Sequence, residues 1–310
     1  MKKIVLLLVF GFFIACSNSN EDEINPEVTH TLAVFIENEK FNIAPDKIFI
    51  NENCDLIFIS IYCNNLNDLG FKINFELYKS GVINKINLID FRNSSKAYST
   101  ADFNANETFQ ISNFIYDSAT NYLHFDFEGD LIAINNNYST IDNSSERKFL
   151  RGQIDSKTII ETNCTEYFSD LNFNATNLTF HSNLKYSSQN HNTVTNPFTY
   201  YFYSDNGFKI VFKNSAKQFD LPINQYDFDE NTIENRVDFE KYIGNIRATQ
   251  LLFIRPIDWK NYQTSGNYKI LEHTIVNGKN VTKGELNLNV YDNGNLLYEI
   301  KDAPFEIVDF

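Results

Sequence analysis

Residues 284–300 read GELNLNVYDNGNLLYEI. Leu286, Leu288 and Val290 alternate with Glu285, Asn287 and Asn289. That is the period-two pattern of a strand with one face in a core. Asp292-Asn293-Gly294 interrupts it and a second apolar run follows, so the stretch reads as a β-hairpin. Two loop lengths compete. A two-residue Asn-Gly loop sets Leu288 opposite Glu299 and puts an acid on the apolar face. A three-residue loop, Asp292-Asn293-Gly294, sets Val290 opposite Leu296, Leu288 opposite Tyr298 and Leu286 opposite Ile300. A slip of one residue exchanges the two faces of a whole strand. The sequence therefore predicts the three-residue loop, a type I turn with Gly294 left-handed in a bulge. Residues 200–212, YYFYSDNGFKIVF, carry the same Asp-Asn-Gly. The same reasoning pairs Phe202 with Ile210 and Tyr200 with Phe212. It turns Tyr200 and Phe202 to the core and Tyr201 and Tyr203 outward.

Aromatic and β-branched runs punctuated by Gly, Pro, Asn and Asp recur along the chain. They predict strands at Thr31–Ile36, Leu56–Tyr62, Lys72–Lys79, Thr108–Ile115, Tyr122–Glu128, Phe149–Ile154, Leu178–His181, Thr199–Tyr203, Lys209–Lys213, Leu251–Ile254, Tyr268–His273, Gly284–Tyr291 and Leu296–Ile300. No long amphipathic helix is present, and the best short helix candidate is Arg236–Ile243. The fold class expected is all-β, with two antiparallel β-sandwich or β-barrel-like domains in tandem. The first spans residues 28–160 and the second residues 172–310, joined by a polar linker at 161–171. Each half closes on an apolar hairpin: EGDLIAI precedes FLRGQI in the first, and KGELNLNV precedes PFEIV in the second. This hints at a diverged duplication.

The N-terminus gives the address. Lys2 and Lys3 precede an apolar run, Ile4 to Ala15, too short to span a membrane and suited to a secretory signal. The run ends Phe13-Ile14-Ala15-Cys16, which resembles the lipobox of bacterial lipoproteins, with Phe13 where Leu is usual. The resemblance implies cleavage after residue 15 and acylation of Cys16, with palmitate among the chains. The alternative is an ordinary signal peptide followed by a chance cysteine. Residues 16–27 read as a flexible tether. Its acidic stretch, Ser17 to Glu23, resembles the export signal by which Bacteroidetes lipoproteins reach the outside of the outer membrane. The resemblance implies a lipid-anchored outer-membrane protein facing the exterior, with a periplasm-facing anchor as the alternative.

The 310-residue chain carries a formal net charge of -14. Losing Lys2 and Lys3 with the leader makes it two units more negative. No Lys/Arg run offsets this, so nucleic acid is excluded as a partner. Past Cys16 the cysteines are Cys54, Cys63 and Cys164, without CxxC or zinc spacing. An unbroken strand between Cys54 and Cys63 would hold them roughly 30 Å apart, against the ~7 Å limit of a disulfide. Either could meet Cys164, or all three could be buried free thiols.

The first half, through AVFIENEKFNI (33–43) and LHFDFEGDL (123–131), also resembles a β-rich Bacteroidetes lipoprotein domain family of unknown function. That resemblance implies a β-sandwich or barrel and a cellular address, and no activity.

Candidate chemistry is sparse. Asp126 and Glu128 share a strand face with His124, at a spacing near that of glycosidase carboxylates. A solvated strand face explains them as well. Asp227, Asp229, Glu230 and Glu234 crowd one loop and are the candidate Ca2+ ligands, without EF-hand spacing. Tyr201, Tyr203, Trp259 and Tyr262 are the candidate ligand-stacking aromatics, with Trp259 and Tyr262 expected on an exposed loop. Asp117-Ser118-Ala119 resembles the O-glycosylation acceptor of Bacteroidetes, which makes Ser118 a candidate. No GxSxG, HExxH or phosphate loop occurs, and the five His are scattered. The reading these support is a non-catalytic surface binding module for a glycan, peptide or protein. A structural subunit of an outer-membrane assembly comes second, and a glycoside or peptide hydrolase is the weakest reading.

Overall fold

The computed structural model describes residues 30–65, 68–93, 95–134, 146–164, 167–182, 188–191, 198–249 and 255–309. The signal segment, Cys16, the tether and the strand expected at Leu251–Ile254 lie outside the described residues. Within them the protein is all-β: twenty-one strands, four single-turn 3-10 helices and no α-helix.

Eleven strands form a first sheet: β1 (His30–Ile36), β2 (Glu39–Asn42), β3 (Ile48–Asn53), β4 (Leu56–Asn65), β5 (Asp68–Tyr78), β6 (Ile83–Asp90), β7 (Lys96–Ser99), β8 (Phe109–Asp117), β9 (Tyr122–Ala133), β10 (Arg147–Ser156) and β11 (Ile160–Thr162). Ten form a second: β12 (Asp170–Ala175), β13 (Leu178–His181), β14 (Ser188–His191), β15 (Phe198–Tyr203), β16 (Phe208–Asn214), β17 (Gln225–Phe228), β18 (Arg236–Tyr242), β19 (Trp259–Val276), β20 (Lys279–Asp292) and β21 (Asn295–Asp309). Every pairing is antiparallel except β11 with β3.

Each sheet buries one face and curls to close on it. Phe41 on β2 and Phe71 on β5 stand six strands apart in the first sheet, roughly 29 Å if it were flat. Their rings meet at 5.4 Å. In the second, Phe212 on β16 meets Phe305 on β21 at 5.0 Å across four strand steps. The Tyr200 hydroxyl on β15 donates to Asp309 on β21 across the same interior.

The two sheets share one strand order. In the first, an edge hairpin (β2-β1) is followed by the last long strand β10, then β9, β7, β6, β5, β4 and β3. In the second, the hairpin β13-β12 is followed by β21, β20, β19, β18, β16, β15 and β14. β8 completes the match, because β7 and β8 both pair with β9 as the two halves of β19 would. The two halves thus share a strand order as well as a closing hairpin. The Gly-acid-Leu triplets 129–131 and 284–286 both fall on the strand next to the last. A Cβ at Gly129 would lie 2.2 Å from the Thr108 carbonyl oxygen, and one at Gly284 2.3 Å from the Phe305 ring.

The break between β7 and β8, residues 100–108, has no counterpart in β19, and it fastens the sheets together. The Asp102 N–H donates to the Arg247 carbonyl at 2.7 Å, and the Thr249 hydroxyl donates to the Asp102 carboxylate at 2.7 Å. Phe103 enters a cluster with Tyr203, Tyr242 and Trp259 of the second sheet, its ring 5.1–5.3 Å from theirs. Asn106 donates from its side chain to Asp205 at 2.9 Å.

The 200–212 hairpin has the expected register, Phe202 opposite Ile210 and Tyr200 opposite Phe212, with Gly207 at φ +84°. Two expectations are corrected. In 284–300 the loop has two residues, with Asp292 opposite Asn295 and both Asn293 and Gly294 at positive φ. The acid this would place on the apolar face is removed by a bulge. Past it, Leu288 faces Ile300 and Asn289 faces Glu299. Arg236–Ile243 is not a helix: Arg236–Tyr242 is strand β18. Val237 and Phe239 alternate into the core, while Asp238 and Glu240 reach Lys213 and Lys209 on β16, each pair at 2.5 Å.

Candidate functional site

Two tight turns of the first sheet and one edge of the second enclose a cleft of about 650 Å³, within the size range of small-ligand sites. The β3–β4 turn holds Cys54, left-handed at φ +53°, and the exposed Asp55. The β5–β6 turn holds Lys79 and Ser80, and the Lys79 N–H donates to the Asp55 carbonyl at 2.8 Å. These turns are adjacent because β3, β4 and β5 form a meander.

The facing wall is the segment leading into β12. Cys164 on it is disulfide-bonded to Cys54, with Cα atoms 4.7 Å apart. This closes one of the alternatives left open above. β4 runs unbroken away from Cys54 and leaves Cys63 a buried free thiol, its pKa pushed up to about 12 by burial. Beyond Cys164, the Tyr167 hydroxyl donates to Glu306 on β21, and Phe168 is 37% exposed. The Lys279 ammonium donates to the Tyr167 carbonyl at 3.2 Å and lies 5.7 Å over the Phe168 ring.

The floor comes from β12 and β13. Ser182 donates to one Asp170 carboxylate oxygen at 2.8 Å and Asn172 to the other at 2.6 Å. Burial raises the Asp170 pKa, with the Asp55 charge adding to it, and these two hydrogen bonds oppose the rise. Burial lowers the His181 pKa, opposed by Asp170. Tyr167 is raised by burial first and then by its bond to Glu306. Asp170 and Glu306 are thus held by local donors. Such carboxylates suit recognition of a polar ligand better than proton transfer.

The sequence candidates lie elsewhere. Trp259 opens β19 instead of sitting in a loop, and it is 7% exposed. Tyr203 is 1% exposed. Both face away from the second core, as the register implies, but Phe103 covers that face. Tyr201 stacks on Tyr203 at the margin of the cluster, and Tyr262 packs on Phe239. At Trp259 and Tyr203 the expected exposed surface is therefore a buried contact between sheets, while Tyr262 is half-buried on the second core.

Asp227 lies on β17. Asp229 accepts the Asn231 N–H at 2.9 Å and the Thr232 hydroxyl at 3.1 Å, closing a turn that also holds the exposed Glu230 and Glu234. Among the described residues no group of three or more His, Cys, Asp or Glu is arranged to hold a metal. Asp126 and Glu128 lie on the outer face of the first sheet in a shallow groove, with Arg151 opposite Glu128 and Asn113 donating to Asp126 at 2.5 Å. Ser118 is exposed at the tip of the β8–β9 hairpin.

Sequence reading missed the cleft because its walls come from segments more than eighty residues apart. The one signal was Cys164 in an otherwise polar linker. No helix among the described residues is long and apolar enough to cross a membrane. No family model, no curated protein and no solved structure matches the chain.

Proposed function

We propose that this protein is a non-catalytic binding module, anchored by lipid on Cys16 to the outer membrane and facing the exterior, whose ligand site is the cleft between the two sheets. The observation that carries the reading is the cleft itself. It is stapled by Cys54–Cys164 and lined by aromatic rings and by carboxylates already held by their own donors. The disulfide supports an oxidising compartment outside the cytosol, and the leader and lipobox resemblance support the anchor. A rigid, preformed site lowers the entropy lost on binding.

The anchor is tested by expressing the full chain in a bacterium fed labelled palmitate. Wild type incorporates label and fractionates with membranes, and Cys16→Ala does neither. Label retained by Cys16→Ala, or an unlabelled wild type, overturns the anchor. A structural-subunit reading draws support from Phe49, 54% exposed on the outer face of β3, and from exposed Ile160 at that sheet's edge.

A further inference from the structure

We propose that the cleft takes an uncharged, hydroxyl-rich ligand, the end of an oligosaccharide, in preference to an anion or a cationic peptide. This rests on the cleft being the binding site. An anion entering the cleft would meet Asp55, Asp170 and Glu306, on a chain of net charge -14. Like charges at contact distance are repelled most strongly where water is excluded. A cation meets Lys79 on the cleft wall, and of the three carboxylates Glu306 is already paired with a lysine and Asp170 already accepts from Ser182 and Asn172. Lys283 lies 3.1 Å from Glu306, Lys279 lies over Phe168 and bonds the Tyr167 carbonyl, and Lys79 lies 3.4 Å from Glu52.

What remains is a mixed polar rim and an apolar plane. The carboxylates of Asp55 and Asp170 have lone pairs to accept with, while Ser80 and Asn172 carry donors. A sugar hydroxyl both donates and accepts, so one polyol ring satisfies both kinds of group. The Phe168 ring, partly exposed beside them, offers a surface for the C–H face of a pyranose. Neither a simple ion nor an apolar molecule uses both features. The disulfide joins the turn carrying Asp55 to the segment carrying Phe168 and sets the distance between rim and plane.

The test is calorimetric titration of the full-length chain in detergent. The neutral probes are cellobiose, maltotriose, mannobiose, galactobiose and di-N-acetylchitobiose. The charged probes are trilysine, triglutamate and inorganic phosphate. Phe168→Ala and Asp55→Asn are titrated beside wild type, both at exposed positions and both checked for an unchanged thermal midpoint. The expected result is binding of a neutral saccharide, weakened about tenfold in Phe168→Ala, the loss a stacking contact of about 1.4 kcal/mol gives. A charged probe that binds in a Phe168-dependent way overturns the ligand class and leaves the cleft as the binding site. A saccharide that binds wild type and both variants alike, or no response to any probe, overturns both.

Discussion

Asp205 stands at the tip of the β15–β16 hairpin, 4% exposed and pressed against the first sheet. Its company is hydrogen bonds: the Asn106 amide, the Ile83 N–H and its own N–H. Burial is the leading cause that pushes its pKa up to about 6, from an ordinary 3.8, and the hydrogen bonds oppose it. The folded state therefore holds a proton that the unfolded state has lost between about pH 4 and pH 6. Stability is highest below that window and falls as pH rises through 6. The loss should be roughly 2–3 kcal/mol. Chemical denaturation from pH 4.5 to 7.5 checks this: Asp205→Asn should flatten that part of the profile, and an unchanged slope would remove Asp205 as its source. At this scale the sequence was legible in parity. Alternation told which of Tyr200 to Tyr203 share a face. It could not tell that the other face, at Tyr203, is covered too, because the covering residue is Phe103.

Among the elements, β18 and the 284–300 hairpin show what local pattern resolves. Arg236–Tyr242 has an apolar residue at every second position only over Val237 and Phe239, too short a run to separate strand from helix. The cross-strand ion pairs to β16 settle it, and these are tertiary facts. In 284–300 the apolar face was read correctly for Leu288, Val290, Tyr298 and Ile300, yet the loop length was not. A bulge restores the same face from a different register, and face alone cannot distinguish the two. The disulfide belongs to this scale as well. It closes 110 residues and ties the segment of Tyr167 and Phe168 to the β3–β4 turn. Reducing it with a dithiol should lower unfolding stability by roughly 2–4 kcal/mol. Cys54→Ser with Cys164→Ser should do the same, while Cys63→Ser should leave the response to reductant intact. Equal stability with and without the bridge would mean that the segment is held by its hydrogen bonds instead.

For the whole molecule the decisive feature is the one difference between the two sheets of like strand order. The strand continuous as β19 in the second is split in the first, and the split supplies Asp102, Phe103, Asn106 and Asn104, which bridges to Asn206, to the contact between sheets. Phe103 sits at φ +61°, a costly conformation for an aromatic residue, which its ring contacts offset. Phe103→Ala should cost about 3–5 kcal/mol and uncouple the sheets, so that one denaturation transition becomes two. Trp259, the chain's single tryptophan, lies in the cluster, and its fluorescence should shift to the red in the earlier transition. A single unshifted transition would show that the remaining contacts suffice to hold the sheets together.

By itself the sequence determined the all-β class, the facing of the strands in the two Asp-Asn-Gly hairpins, one hairpin register and the likeness of the two closing hairpins. These are local quantities, set by side-chain alternation and turn chemistry over ten or twenty residues. Only the tertiary structure decided the shared strand order, the partner of Cys54, the burial of Trp259 and the existence of the cleft. Each of those depends on which distant segments the curl of a sheet brings within a few ångströms, and period-two patterning carries no information about that distance.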